Sequence, residues 1–442
     1  MSEKSEIQAR YRQYLAPAVS TYYQDPVVLA SGQGRHVEDI EGRQYLDFFG
    51  GILTTSLGHQ HPRVLAAVED ALHRLWHTST LYPTKPVADM AELLARVAPP
   101  GLSKTYFASG GTEANETAVL MARIFTGRRE IVALRHGYSG HSANTQALTG
   151  QAAWRNGIED MPGIVHTPTA YCYRCPFHRT PETCGLECAK ELEEILDTES
   201  TGKPAGILAE PIQGVGGFIA PPPGFFQEIA QIVRARGGLF IADEVQTGFA
   251  RTGTLWGIEE SGVEPDMITF AKGIANGLPA AGVTARAEIA DAYTGPAITT
   301  FGANPIALTA AKATVDTILE ENLVQNSHDR GEELKAGLLE LQERYPVMGD
   351  VRGRGLMQGV EFVRENKAPA PDLMNDFLEA TKEAGILIGK GGLRNNVARI
   401  APALTVTPEE IRDGLGLLGE AMERLSTRHP ELRSLSRAET RA

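Results

Sequence analysis

A chain of 442 residues is too long for one simple hydrophobic core, so two domains are expected. Apolar residues make up 42% and charged residues 22%, which is the composition of an ordinary globular protein. The 42 basic residues against 55 acidic ones leave a net charge of −13, which disfavours generic binding to nucleic acid or to an anionic membrane surface.

The opening segment, MSEKSEIQARYRQY, is polar and lacks the apolar centre of a secretory signal, and no apolar run reaches the roughly 20 residues of a spanning helix. The cytoplasm is the expected compartment, with neither membrane nor nucleic acid as a partner. Residues 1–61 read as an arm ending in HVEDIEGRQYLDFFGG, a hairpin that turns near Glu41 and Gly42, and are expected to join a small domain. Across 62–328, strand-like runs (KTYFA, EIVALR, AGILAE, GLFIAD, MITFA, AAGVTAR) alternate with helical ones, the pattern of a mostly parallel sheet covered by helices. Residues 329–442 change to longer helices around GLMQGVEFV and VARIA, which reads as a smaller α+β domain. The fold class is therefore α/β.

In open α/β sheets, ligands sit beyond the carboxyl ends of the strands, so the residues that follow each strand matter most. After KTYFA come Ser109, Gly110, Gly111 and Thr112, leading straight into a helix. Small residues there leave backbone N–H groups free for an anion, and Thr112 adds a hydroxyl. After EIVALR, Tyr138 lies between glycines and can cover a flat ligand. Glu210 follows AGILA. Asp243 ends GLFIAD, where a carboxylate needs a cation or several hydrogen bonds. Lys272 ends MITFA, where burial lowers an amine's pKa and makes it a nucleophile. Taken singly, these are a cap, a core tyrosine and a lysine reaching out of a strand end. Together they fit pyridoxal phosphate, which needs an imine-forming lysine, an acid at its ring nitrogen and an anchored phosphate.

The motifs IADEVQTGFARTG and TFAKGIANGLP resemble the class III aminotransferases of fold type I, and the resemblance runs from YLDFFGGI to RIAPALTVTPEEI. It implies a pyridoxal-phosphate enzyme that moves an amino group from an amino acid or amine to a 2-oxo acid, by a ping-pong route. It implies that Lys272 forms the imine and shuttles the proton, and that Asp243 bonds the pyridine nitrogen. Val245 would pack on the ring opposite Tyr138, and Gln246 would reach the ring hydroxyl. Gly110, Gly111 and Thr112 would hold the phosphate, with Thr300 capping it from a neighbouring subunit, which implies a homodimer or tetramer with shared sites. Arg399 would bind the substrate carboxylate, and Glu210 would pair with that arginine when the substrate side chain is uncharged. Substrate selection would involve loops near Leu53, Tyr82 and Tyr138. The chain departs from the family pattern in having Gly110 in place of the first cradle hydroxyl, and Ser139 where a histidine is usual. YLDFFGGILTTSLGHQHP and LWHTST look most like the alanine–glyoxylate type, with 3-aminoisobutyrate–pyruvate enzymes nearby. A racemase, aminomutase, decarboxylating transaminase or phospho-lyase on the same fold is the alternative. A catalytically silent binding module stands against an intact lysine, aspartate and cradle.

All four cysteines, Cys172, Cys175, Cys184 and Cys188, fall in YCYRCPFHRTPETCGLEC, with spacing C-x2-C-x8-C-x3-C. The spacing suits a structural zinc site with His178 as a spare ligand, two disulfides, or four free thiols.

Overall fold

The computed structural model describes residues 2–157, 161–435 and 440. Its centre is a seven-stranded sheet, whose strands are numbered here in chain order: β1 Leu102–Ala108, β2 Ile131–Leu134, β3 Ile164–Thr167, β4 Gly206–Ala209, β5 Leu239–Asp243, β6 Met267–Phe270 and β7 Ala281–Arg286. The order across the sheet is β1-β7-β6-β5-β4-β2-β3. Only β7 runs antiparallel to its neighbours. β2, β4 and β6 are buried at every position, as expected of strands covered on both faces. This explains why they read as unbroken apolar runs instead of alternating ones. The sheet is α/β, as the alternation predicts. The short edge strand β3 was not foreseen.

Two smaller sheets flank it. Leu29–Gln33, His36–Asp39 and Gln44–Asp47 form an antiparallel meander, and Gly42 takes the positive φ (81°) of the expected turn. Ile386–Leu387 joins that meander in parallel, tying the N-terminal arm to the distant C-terminal segment. The third sheet orders Met348–Arg354, Met357–Phe362, Val397–Ile400 and Gly389–Gly391 side by side, under the long helices Leu323–Arg344 and Pro408–Arg428. The latter helix starts with a reciprocal cap, in which Thr407 Oγ accepts from the Glu410 N–H and the Glu410 carboxylate accepts from the Thr407 N–H. Among the described residues, no helix is long and apolar enough to cross a membrane.

Candidate active site

The carboxyl ends of β1, β2, β4, β5 and β6 open onto one cavity of about 670 Å³. Its walls include Ser109, Gly110, Gly111, Thr112, Tyr138, Glu210, Asp243, Val245, Gln246, Lys272 and Arg399. Residues scattered over 290 positions of sequence thus converge because parallel strands all present the same end.

Lys272 opens a single 3-10 turn, Lys272–Ala275, immediately after β6, with φ at +48°. That backbone region is sparsely populated for a residue with a side chain and is held here by its surroundings. Gly273 follows because a Cβ there would come within 2.1 Å of Ser56 Oγ. Burial lowers the pKa of the Lys272 amine, the Asp243 and Glu210 carboxylates oppose that shift, and Arg399 reinforces it.

Asp243 is 3% exposed. Its Oδ2 accepts from Asn115 Nδ2 at 2.8 Å and its Oδ1 from the Val245 N–H at 3.1 Å. Burial raises its pKa against these hydrogen bonds and the Lys272 charge. Asn115 sits one turn into the helix Gly111–Thr126, four residues after Gly111, so the cradle helix also carries the support for the carboxylate.

That helix begins at Gly111 with no side-chain cap, leaving its first N–H groups directed at the cavity. A side chain at Gly111 would crowd this wall, since a Cβ would lie 3.1 Å from Val245 Cγ1 and the valine would have to give way. Thr112 Oγ1 lies 3.3 Å from His141 Nδ1. A histidine thus does reach the cradle, two residues later in the loop than the family pattern led one to expect. Tyr138 is half-buried, edge-on to Trp154 at 5.5 Å, and burial raises its phenol pKa.

The donor set fits pyridoxal phosphate: an enclosed amine, an anchored carboxylate, a helix N-terminus with a hydroxyl, and flat or apolar flanks in Tyr138 and Val245. Gln246 Oε1 is buried in this wall without a hydrogen-bond partner, and a ring hydroxyl would satisfy it.

The family model for aminotransferase class-III matches residues 19–422. The chain belongs to the class III aminotransferases. An Arabidopsis thaliana aminotransferase, alanine–glyoxylate aminotransferase 2 homolog 2, is 40% identical over 420 residues, covering 94% of this chain and 86% of the relative. The solved amine transaminase of an uncultivated Pseudomonas species, with pyridoxal phosphate bound, superposes with a TM-score of 0.88 at 31% identity, over 93% of this chain and 99% of that one. A leucine/methionine racemase of Thermococcus litoralis is 34% identical, with 95% of each chain covered. The aminotransferase fold is therefore of type I, with pyridoxal phosphate as cofactor.

Several expectations for this aminotransferase need correction. Leu53 does not line the cavity. It packs into a small apolar cluster with Phe49, Ile212 and Phe218, while its neighbours Ile52 and Thr54 face the opening. Tyr82 is 67% exposed and lies outside the cavity wall of this chain. Thr300 is also exposed and outside it, which departs from no expectation, since its expected role is at the site of a neighbouring subunit. Glu210 forms no pair with Arg399: Oε1 accepts from the Tyr138 N–H at 3.0 Å and Oε2 from the Gly214 N–H at 2.8 Å, so the carboxylate is used up shaping two loops. Burial and the nearby Asp243 raise its pKa.

The cysteines are corrected as well. All four are free thiols lining one small cavity. Among the described residues no three His, Cys, Asp or Glu side chains are arranged to hold a metal ion, so neither zinc nor disulfides are seen. Burial and the neighbouring thiols push Cys172 up to about 11 and Cys188 up to about 12.

Asn115, Tyr22, Trp154, Lys390 and His141 were not foreseen at this site. Asn115 was within reach of helical periodicity counted from Gly111. Tyr22 comes from the N-terminal arm and gave no sequence signal.

Proposed function

We propose that the chain transfers an amino group from an amino acid (alanine, or a β- or ω-amino acid) or from an amine to a 2-oxo acid such as pyruvate or glyoxylate. Arg399 carries this reading. It is 3% exposed in the cavity wall, its Nη2 donates to Tyr22 Oη at 2.8 Å and its Nε to the Lys390 carbonyl at 3.0 Å. Its charge has no carboxylate partner among the described residues, while the Phe49 and Phe218 rings lie 4.9 and 5.6 Å from it. A buried, aromatic-flanked guanidinium without a counter-ion is a receptor for a substrate carboxylate.

When bound, pyridoxal phosphate supplies the electron sink for loss of the proton next to the amino group. The chain supplies the rest. The helix at Gly111 and Thr112 would hold the phosphate. Asp243, fixed by Asn115, would face the ring nitrogen. Lys272 takes and returns the proton at Nζ, and burial shifts its amine toward the neutral form that can accept one. Arg399 orients the donor, and then the acceptor, by the same carboxylate.

The working unit is a homodimer in this reading. Thr300 lies among exposed apolar side chains, with Trp76 at 65%, Leu81 at 62%, Tyr82 at 67%, Ile298 at 67% and Phe301 at 66%, a patch that supports burial against a second copy carrying Thr300 and Tyr82 to its site.

The decisive experiment is a donor screen. The holoenzyme is mixed with L-alanine, β-alanine, 3-aminoisobutyrate, 4-aminobutyrate and simple amines, one at a time, and the cofactor absorbance is followed. Bleaching by a donor, reversed by pyruvate or glyoxylate, supports the reading and names the class. A donor converted to its mirror image with no 2-oxo acid present would support a racemase instead, the activity of the relative from Thermococcus litoralis.

A further inference from the structure

A second cavity, of about 650 Å³, lies on the other side of the loop that leads to Arg399. It is lined by His136, Tyr171 and Arg174 from the segments after β2 and β3, and by Glu361, Leu393, Arg394 and Asn396 from the C-terminal part of the chain. None of these residues belongs to the site described above.

Two polar atoms in this wall are buried with no hydrogen-bond partner: His136 Nδ1 and Arg174 Nη2. Orphaned buried polar atoms are costly and rare, and in the active-site wall another orphan, the acceptor Gln246 Oε1, lines the cofactor cavity. The lone carboxylate in the lining cannot serve these donors. Glu361 Oε1 accepts from Arg174 Nε at 2.6 Å and from Asn396 Nδ2 at 3.3 Å, while Oε2 accepts from Arg352 Nη1 at 2.8 Å and from the Tyr171 hydroxyl. Arg352 is in turn neutralised by Asp350 at 2.7 Å. Arg394 stands exposed at the rim and pairs with no carboxylate among the described residues. The lining therefore offers two cations against one carboxylate whose oxygens are both taken. Burial and Arg352 lower the pKa of His136, so its ring is neutral and can donate from Nδ1 without adding charge.

We propose that this cavity is a second binding site, for a small anion bearing a carboxylate or phosphate group. The anion would accept from Arg174 Nη2 and His136 Nδ1 and be drawn in by Arg394. Two segments wall both cavities: His136 faces this one while Tyr138 faces the active site, and Leu393, Arg394 and Asn396 face this one while Gly391, Gly392 and Asn395 face the active site. An anion bound here sits one loop thickness from the substrate arginine.

The test is calorimetric titration of the holoenzyme, with its phosphate cradle filled, with inorganic phosphate and separately with malonate, which cannot be transaminated. Saturable binding of either is expected, and it should persist in Arg399→Ala, which separates it from the substrate pocket. The double variant His136→Gln/Arg394→Gln should weaken it at least tenfold with cofactor absorbance unchanged. The single rim variant Arg394→Glu should also weaken it and leaves the buried network untouched. Tighter phosphate assigns the site to phosphates, and tighter malonate to carboxylates. No saturable binding of either anion, or binding unaffected by Arg394→Glu, overturns the proposal.

Discussion

Asn115 joins the cradle helix to the carboxylate at the end of β5: its Nδ2 donates to Asp243 Oδ2 at 2.8 Å, and its Oδ1 accepts from Thr269 Oγ1 at 2.7 Å. Hydrogen bonds to charged groups contribute about 1.5–3 kcal/mol, equivalent to roughly 10–100-fold in rate if lost only where the Asp243 charge matters. Asn115→Ala is expected to lower kcat by about that factor while the protein still folds and binds cofactor. A positioning role also predicts a shifted pH profile of kcat, since Asp243 loses a bond that favours its ionised form. Unchanged kcat and pH profile would remove Asn115 from the argument.

Lys272 is the one amine in the cavity wall flanked by both carboxylates. Lys272→Ala is expected to retain the fold, by circular dichroism and melting, and to lose turnover by several orders of magnitude in steady-state assays. Near-normal activity in that variant would place the proton transfer elsewhere.

The major strands were legible because they are buried on both faces and carry almost no competing signal: GILA has no polar side chain, and MITF has only the β-branched Thr269. The convergence of Lys272, Asp243 and the glycine cradle was legible for a topological reason, since each ends a strand of one parallel sheet. Leu53 was misplaced because the chain there turns through positive-φ residues, Ile52 and Leu53 at 67° and 60°, and such turns decide which neighbour faces inward. The fate of Glu210 was not legible. Its partners are backbone N–H groups of Tyr138 and Gly214, and backbone donors leave no mark in a sequence.

Arg399 separates substrate classes. For donors carrying a carboxylate, Arg399→Ala is expected to raise KM about 10–100-fold, the value of a charge-assisted contact. For an amine without a carboxylate the KM should change far less. Equal losses for both would mean that the arginine supports the cavity rather than the substrate.

Glu361 ties the C-terminal sheet to the segment after β3. Burial alone would raise its pKa, but Arg352 and Arg174 outweigh it and hold the carboxyl below its usual range. Glu361→Gln leaves two guanidinium groups under-compensated, and breaking such a buried network costs about 3–5 kcal/mol. Arg352 keeps Asp350, so the lower end is expected, read as a lower melting temperature. A variant as stable as the parent would show that Asp350 alone suffices.

Glu244 gives the stability a pH dependence of definite sign. It is 1% exposed, and burial raises its pKa to about 7 despite hydrogen bonds from Thr247 Oγ1 and the Ile258 and Gly257 N–H groups. Between the ordinary carboxylate value of 4.5 and about 7, the folded chain holds a proton that the unfolded chain has released. Stability therefore falls as pH rises through that window and levels off above it, by up to about 3 kcal/mol at roughly 1.4 kcal/mol per unit. Glu244→Gln cannot ionise, so its denaturation midpoint should depend less on pH between 5 and 7.5, whatever its absolute stability. The difference in slope between the two proteins is the quantity to measure, and parallel slopes would mean that Glu244 titrates normally in the folded chain.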